Sequence, residues 1–170
     1  MRPFAINRRY AALGATILLA IVALPSGCSD SSKAHSSEPQ GTVVHVTITD
    51  QGAVNKPMAF SIDRSSVPVG DVTFIVKNDG VIEHELVVLR TDTPFDAIPV
   101  NAAGDPPAAV TSGANKILED NNVGETGEPN LAKGKSATFT VSDMQAGTYV
   151  LICNLALHYQ MGLRAAFTVG

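Results

Sequence analysis

A chain of 170 residues can bury the core of one domain and still carry extensions, whereas two domains would be crowded. Aromatic content of 5%, no Trp and only 16% charged residues argue against a helical bundle, which would carry more Leu, Glu and Lys, and suit a small β protein built on Val, Ile, Thr and Ala. The net charge of −4 becomes −7 when residues 1–27 are set aside, because they hold three arginines and no acid. That balance argues against nucleic acid as a partner and leaves two readings of the acidic surface, solubility or steering of a basic partner.

Residues 1–27 read as an export signal: Arg2, Arg8 and Arg9 precede an apolar run from Ala11 to Leu24, and small residues follow. The run is short of the roughly 20 residues a membrane span needs. Leu24-Pro25-Ser26-Gly27-Cys28 resembles a bacterial lipoprotein box. That resemblance implies a lipidated Cys28 and a chain anchored at the outer face of the cytoplasmic membrane. Pro25 departs from the box, where Leu is usual, which keeps a plain cleavage and a soluble exported protein open. Arg8-Arg9 also invites a twin-arginine reading, weakened by Ala11 and Ala12 where strong hydrophobes are wanted. Residues 28–41, Ser-rich and polar, are expected to be a flexible spacer in which His35 is solvated. The folded domain is expected over residues 42–170.

From Thr42 the pattern alternates with period two. Val44, Val46 and Ile48 share one face, while Val43, His45 and Thr47 share the other, so His45 reads as a surface residue. Met58, Phe60 and Ile62 alternate next, which makes Met58 a core residue rather than a thioether ligand. Val72, Phe74 and Val76 follow and run into Asn78-Asp79-Gly80, a strong turn signal. In the segment after this turn His84, Leu86 and Val88 form a core-facing row, with Glu85, Val87 and Leu89 opposite. A histidine heading such a row is either buried and hydrogen-bonded or a metal ligand. Residues 91–135 form a long excursion rich in Pro, Gly, Asn and Ala, with at most one helical turn near 115–119. Its acids Glu119, Asp120, Glu125 and Glu128 are read as a docking surface or as simply solvated. Ala137, Phe139 and Val141 alternate again, and Leu163 to Val169 is the last strand. About seven short strands joined by turns predict an all-β, Greek-key β-sandwich carrying the excursion.

The chemistry concentrates in Tyr149 to Val169, YVLICNLALHYQMGLRAAFTV, where strand-like runs flank Cys153 and, four residues further, His158. A thiolate and an imidazole on one tight loop suit copper or zinc rather than calcium or magnesium. Cys28 lies at the processing site, so Cys153 stands as a lone thiol in an exported protein, where metal ligation would protect it. With Cys153 and His158 in hand, His84 is favoured as a third ligand, and the set becomes the His2Cys pattern of blue-copper centres.

Through the Asn78-x-Gly80-x3-His84 segment and the Cys153-x4-His158 loop the chain resembles the cupredoxins, the relatives of plastocyanin and azurin. The likeness runs from about Met58 to His84, skips the excursion and resumes at Gly134. It implies one mononuclear copper held by His84, Cys153 and His158, a one-electron carrier that is not an enzyme, and a redox protein as partner. Leu155, Leu157 and Tyr159 would form an exposed contact patch beside His158. Many relatives place an axial Met after the Gly that follows the second histidine; here Leu163 follows Gly162 and Met161 falls two residues early. Leu163 is therefore expected in the axial position without coordinating, with Met161 as the alternative. Glu85 and Asn154, next to the first histidine and the cysteine, are expected to tune the site, and a contact between them is expected. A copper chaperone or acquisition lipoprotein without electron transfer is the competing function, and structural zinc the remaining alternative. An oxidase would need more histidines than the four present.

Overall fold

The computed structural model describes residues 41–53, 55–101 and 114–170. The expectations for the export signal, Cys28 and His35 lie outside the described residues. Within them the protein is all-β, with nine strands in two sheets. One sheet has the order β2-β1-β4-β7, from β1 (Thr42–Thr49), β2 (Ala59–Ile62), β4 (Gly70–Asn78) and β7 (Ser136–Met144). The other has the order β3-β9-β8-β5-β6, from β3 (Ser66–Val67), β5 (Val87–Arg90), β6 (Asn122–Glu125), β8 (Gly147–Ile152) and β9 (Arg164–Val169). The count exceeds the expected seven because β3 has only two residues and β6 lies in a segment without a period-two pattern.

The alternating rows form the core between the sheets. Val44, Val46, Ile48, Val72, Phe74 and Val76 are each at most 1% exposed, and His45 faces solvent as its row demands. Phe74 stacks on Phe139 of the neighbouring strand and meets Phe167 of the opposite sheet at 5.5 Å between ring centres. Met58 is a core residue, as its alternation requires. β1 and β4 pair in parallel with Ile48 opposite Asn78, so the chain leaving β1 runs beside the turn that leaves β4.

The excursion departs most from expectation. No helical turn forms at 115–119; Asn115 closes a tight turn and Ile117 bridges to Val100. Ile117, Ile98 and Val100 pack with Val87, Leu89, Val150, Ile152 and Tyr159 into a second apolar cluster on the outer face of the five-stranded sheet. Both faces of β5 are consequently buried, where a single core-facing row was expected. Tyr159 belongs to this cluster: it is 3% exposed, its hydroxyl accepts from the Ile98 N–H at 3.0 Å and donates to the Phe95 carbonyl at 2.9 Å, and Arg164 lies over its ring. That corrects its placement in an exposed patch; Leu155 and Leu157 are half-buried, and Leu155 packs against the main core.

Candidate metal centre

His84, Cys153 and His158 converge from two loops at one end of the five-stranded sheet. His84 precedes β5 and is held by a bridge to Leu131, its N–H donating to the Leu131 carbonyl at 3.2 Å and its carbonyl accepting at 2.7 Å. The turn before it is built by Asn78. Its side-chain amide donates to the carbonyls of Ile82 (2.8 Å) and Leu131 (2.7 Å), and its Oδ1 accepts the Gly80 N–H at 2.8 Å. This buried amide is the physical content of the Asn-x-Gly signal, because one side chain substitutes for three backbone partners.

Cys153 follows β8 directly, and its loop closes on itself. The Cys153 N–H donates to the Leu163 carbonyl and the Leu163 N–H to the His158 carbonyl, both at 3.1 Å. Gly162 takes φ +115°, and a Cβ there would stand 2.5 Å from the Met58 carbonyl oxygen, so the close approach that brings Met58 N–H to the Met161 carbonyl requires glycine. Leu157 also has positive φ, at 75°, and its N–H is held by the Asn115 carbonyl of the excursion. Positive φ at a branched residue is held only by its surroundings, and here the surroundings are the excursion.

The three donor atoms lie within 4.8 Å of one another, and all three residues are buried. Both histidines face the cluster with Nδ1: Nδ1 to Nδ1 is 3.1 Å, Cys153 Sγ to His158 Nδ1 is 3.3 Å and Sγ to His84 Nδ1 is 3.9 Å. Three donors of one first-row ion at about 2.0–2.3 Å stand about 3.5 Å apart, so the triangle has the right size for a single metal. The Glu85 N–H points at Sγ from 3.4 Å, the contact a thiolate accepts. Two imidazoles and one thiol form the trigonal set of type 1 copper, and these residues fit that ion.

The electrostatics act in opposite senses on the thiol and the imidazole. Burial pushes the Cys153 thiol up to about 12, so a metal must displace its proton. Burial, and then the neighbouring His84, lower His158 to about 4, which leaves its imidazole neutral and available to a metal near neutral pH. Burial, followed by Glu119, raises Glu85 to about 7. The backbone of Asn154 acts on Glu85 in the opposite sense, lowering it. The Asn154 side chain turns the other way, accepting from the Ile117 N–H at 2.7 Å and donating to the Ile117 carbonyl and to Glu119. Glu119 is thus structural rather than only solvated, and Asn154 ties the ligand loop to the excursion. Leu163 is fully buried and Met161 half-buried against the core.

One residue of the site was not anticipated. Asp50, the first residue after β1, places Oδ2 at 2.8 Å from His84 Nε2, and both side chains are fully buried. Burial alone would raise its carboxyl, but the bonds from His84 and from the N–H groups of Gly52, Val81 and Ile82 outweigh it and lower the group to about 2. Nothing local distinguishes Asp50 from any acid at a strand end.

A His2Cys cluster at the loop end of a two-sheet sandwich defines the class: the protein is a cupredoxin. Within that class it belongs to the sulfocyanin (SoxE) domain family, whose model matches residues 61–170. Among curated proteins none matches the chain's sequence. Rusticyanin from Thiobacillus ferrooxidans is similar in structure at 19% identity, with 76% of this chain and 79% of that chain covered and a TM-score of 0.51. Auracyanin from Roseiflexus castenholzii aligns at 22% identity over 76% of this chain and 99% of that one, with a TM-score of 0.49. Auracyanin A of Chloroflexus aurantiacus, described as a "blue" copper protein, aligns at 21% identity over 75% and 99%, with a TM-score of 0.45.

Proposed function

We propose that the protein is an exported one-electron carrier in which His84 Nδ1, Cys153 Sγ and His158 Nδ1 hold one copper ion. The observation that carries this reading is the buried triangle of two imidazole nitrogens and one sulfur. Bound copper supplies a centre that cycles between two oxidation states. The chain's own residues hold its ligands fixed: the Cys153-to-Leu163 backbone bond, the bridge at His84 and the Asn78 amide each anchor a ligand independently of the metal. A site that does not rearrange on gaining an electron exchanges electrons rapidly with another protein. Its partner is a redox protein that approaches the loop end of the sandwich.

Lipidation of Cys28 would anchor the carrier to the outer face of the cytoplasmic membrane, with residues 29–40 as tether. In this reading Leu163 would lie over the bound copper without coordinating it. Its backbone is bonded to both Cys153 and His158, so its place beside the ligands is set by the loop's closure, whereas the Met161 N–H bonds the Leu157 carbonyl and its carbonyl bonds Met58. If Leu163 is axial, Met161→Ala leaves the visible spectrum of the copper form in place and Leu163→Ala alters it; the opposite pair of results assigns the position to Met161.

Titrating the purified protein with Cu(II) tests the function itself. An intense visible band that appears at one equivalent and bleaches with reductant is expected. Stoichiometric binding without colour would sink the carrier reading in favour of copper storage or delivery, and a preference for zinc with no redox response would make the site structural.

A further inference from the structure

We propose that Asp50 is a positioning residue of the metal centre, a buried carboxylate that holds His84 with its proton on Nε2, turns Nδ1 toward the metal, and biases the site toward Cu(II). The inference rests on the copper reading above, but its first test does not.

Oδ2 of Asp50 lies 2.7 Å from the Val81 nitrogen, 3.3 Å from the Ile82 nitrogen and 2.8 Å from His84 Nε2, while Oδ1 takes the Gly52 N–H. The two backbone groups on Oδ2 can only donate. An ionised carboxylate can only accept, so the fourth partner, His84 Nε2, must be a donor as well. A neutral imidazole with its proton on Nε2 has its lone pair on Nδ1, the atom that faces Cys153 and His158. Asp50 therefore selects the tautomer the site needs.

The fold makes room for this contact. The parallel register sets Ile48 beside Asn78, two residues before Asp50 and Gly80 respectively. A Cβ on Gly80 would stand 1.9 Å from Asp50 Oδ2, so glycine at 80 is what lets the carboxylate reach the turn and His84. Asp50 extends from the four-stranded sheet while the three ligands sit on loops of the five-stranded one, so it holds the centre from the opposite layer. It also lies upstream of residues 61–170, the part that matches the sulfocyanin family. A carboxylate behind a ligating imidazole raises that ligand's basicity, and its negative charge favours the more positive metal ion.

The first measurement is the long-range proton–nitrogen NMR spectrum of the metal-free, isotope-labelled protein, well above the ordinary imidazole pH range. His84 is expected with its proton on Nε2; a proton on Nδ1 overturns the proposal whatever the metal does. The second compares Asp50→Asn, which keeps an acceptor but loses the charge, and Asp50→Ala, which loses both. Cu(II) and Cu(I) affinities are measured by competition and the reduction potential by titration. Cu(II) affinity is expected to fall about 10–100-fold in the alanine variant and Cu(I) affinity by less, so the preference for Cu(II) falls and the potential rises by about 59 mV for each factor of ten lost from that preference. The asparagine variant should fall between it and the parent, with the visible band retained in both. Folded variants whose preference is unchanged overturn the charge effect. If neither variant folds, the tautomer decides; if the parent protein binds no copper while His84 carries its proton on Nε2, the copper reading fails and the positioning role stands.

Discussion

Glu85 and His158 pull the stability of the metal-free protein in opposite directions with pH. Glu85 is raised from 4.5 to about 7, so between those values the folded state holds a proton that the unfolded chain has released, and stability falls as pH rises. His158 is lowered from 6.5 to about 4; over that interval the unfolded chain binds the extra proton, and stability rises with pH. From about pH 4.5 to 6.5 the two slopes oppose each other. The parent is thus expected to be nearly level there, and Glu85→Gln to gain stability with rising pH, by denaturant titration at several pH values. A level profile in Glu85→Gln would show that His158 is not the opposing group. Asp50, lowered from 3.8 to about 2, adds stability above pH 4 that is lost as pH falls toward 2.

At the scale of elements, the excursion holds the ligand loop as well as covering the sheet. Ile117, 1% exposed, fills the second cluster, and its backbone N–H and carbonyl both bond the Asn154 side chain next to Cys153. Ile117→Ala should cost about 2–5 kcal/mol, the usual price of truncating a buried aliphatic side chain. Because the same residue anchors Asn154, the variant should also broaden the visible band of the copper form. Leu118→Ala, at a neighbouring but 45% exposed position, should leave both stability and spectrum nearly unchanged. Thermal unfolding and visible spectra of the two variants check the contrast; equal losses in both would mean that the excursion contributes no specific packing. Little of this was legible from sequence. Residues 91–135 lack the period-two pattern because β6 is short and its anchoring residues are scattered, with Ile98, Val100 and Ile117 meeting only after the chain folds back. Tyr159 was misplaced for the same reason, since nothing within five residues of it shows the roof that buries it.

For the molecule as a whole, a metal bound by the folded state alone stabilises it by mass action. At free copper 1,000 times the dissociation constant the gain is about 4 kcal/mol. For a domain of this size that is a rise of roughly 10–20 °C in unfolding midpoint. Calorimetry with and without one equivalent of copper should show it, and Cys153→Ser should abolish most of the difference. A midpoint indifferent to copper in the parent would mean that the metal does not couple loops that close only on folding.

The sequence by itself determined the all-β class, the alternating core rows, the Asn78 turn and the three donors His84, Cys153 and His158, because these depend on local period and on residue types whose chemistry is narrow. The tertiary structure alone decided that Asp50 stands behind His84, that Asn154 reaches the excursion, and that Tyr159 is buried. Each of those contacts joins residues 34 or more positions apart through strand pairing or a fold-back, and such pairings leave no mark on the sequence near either partner.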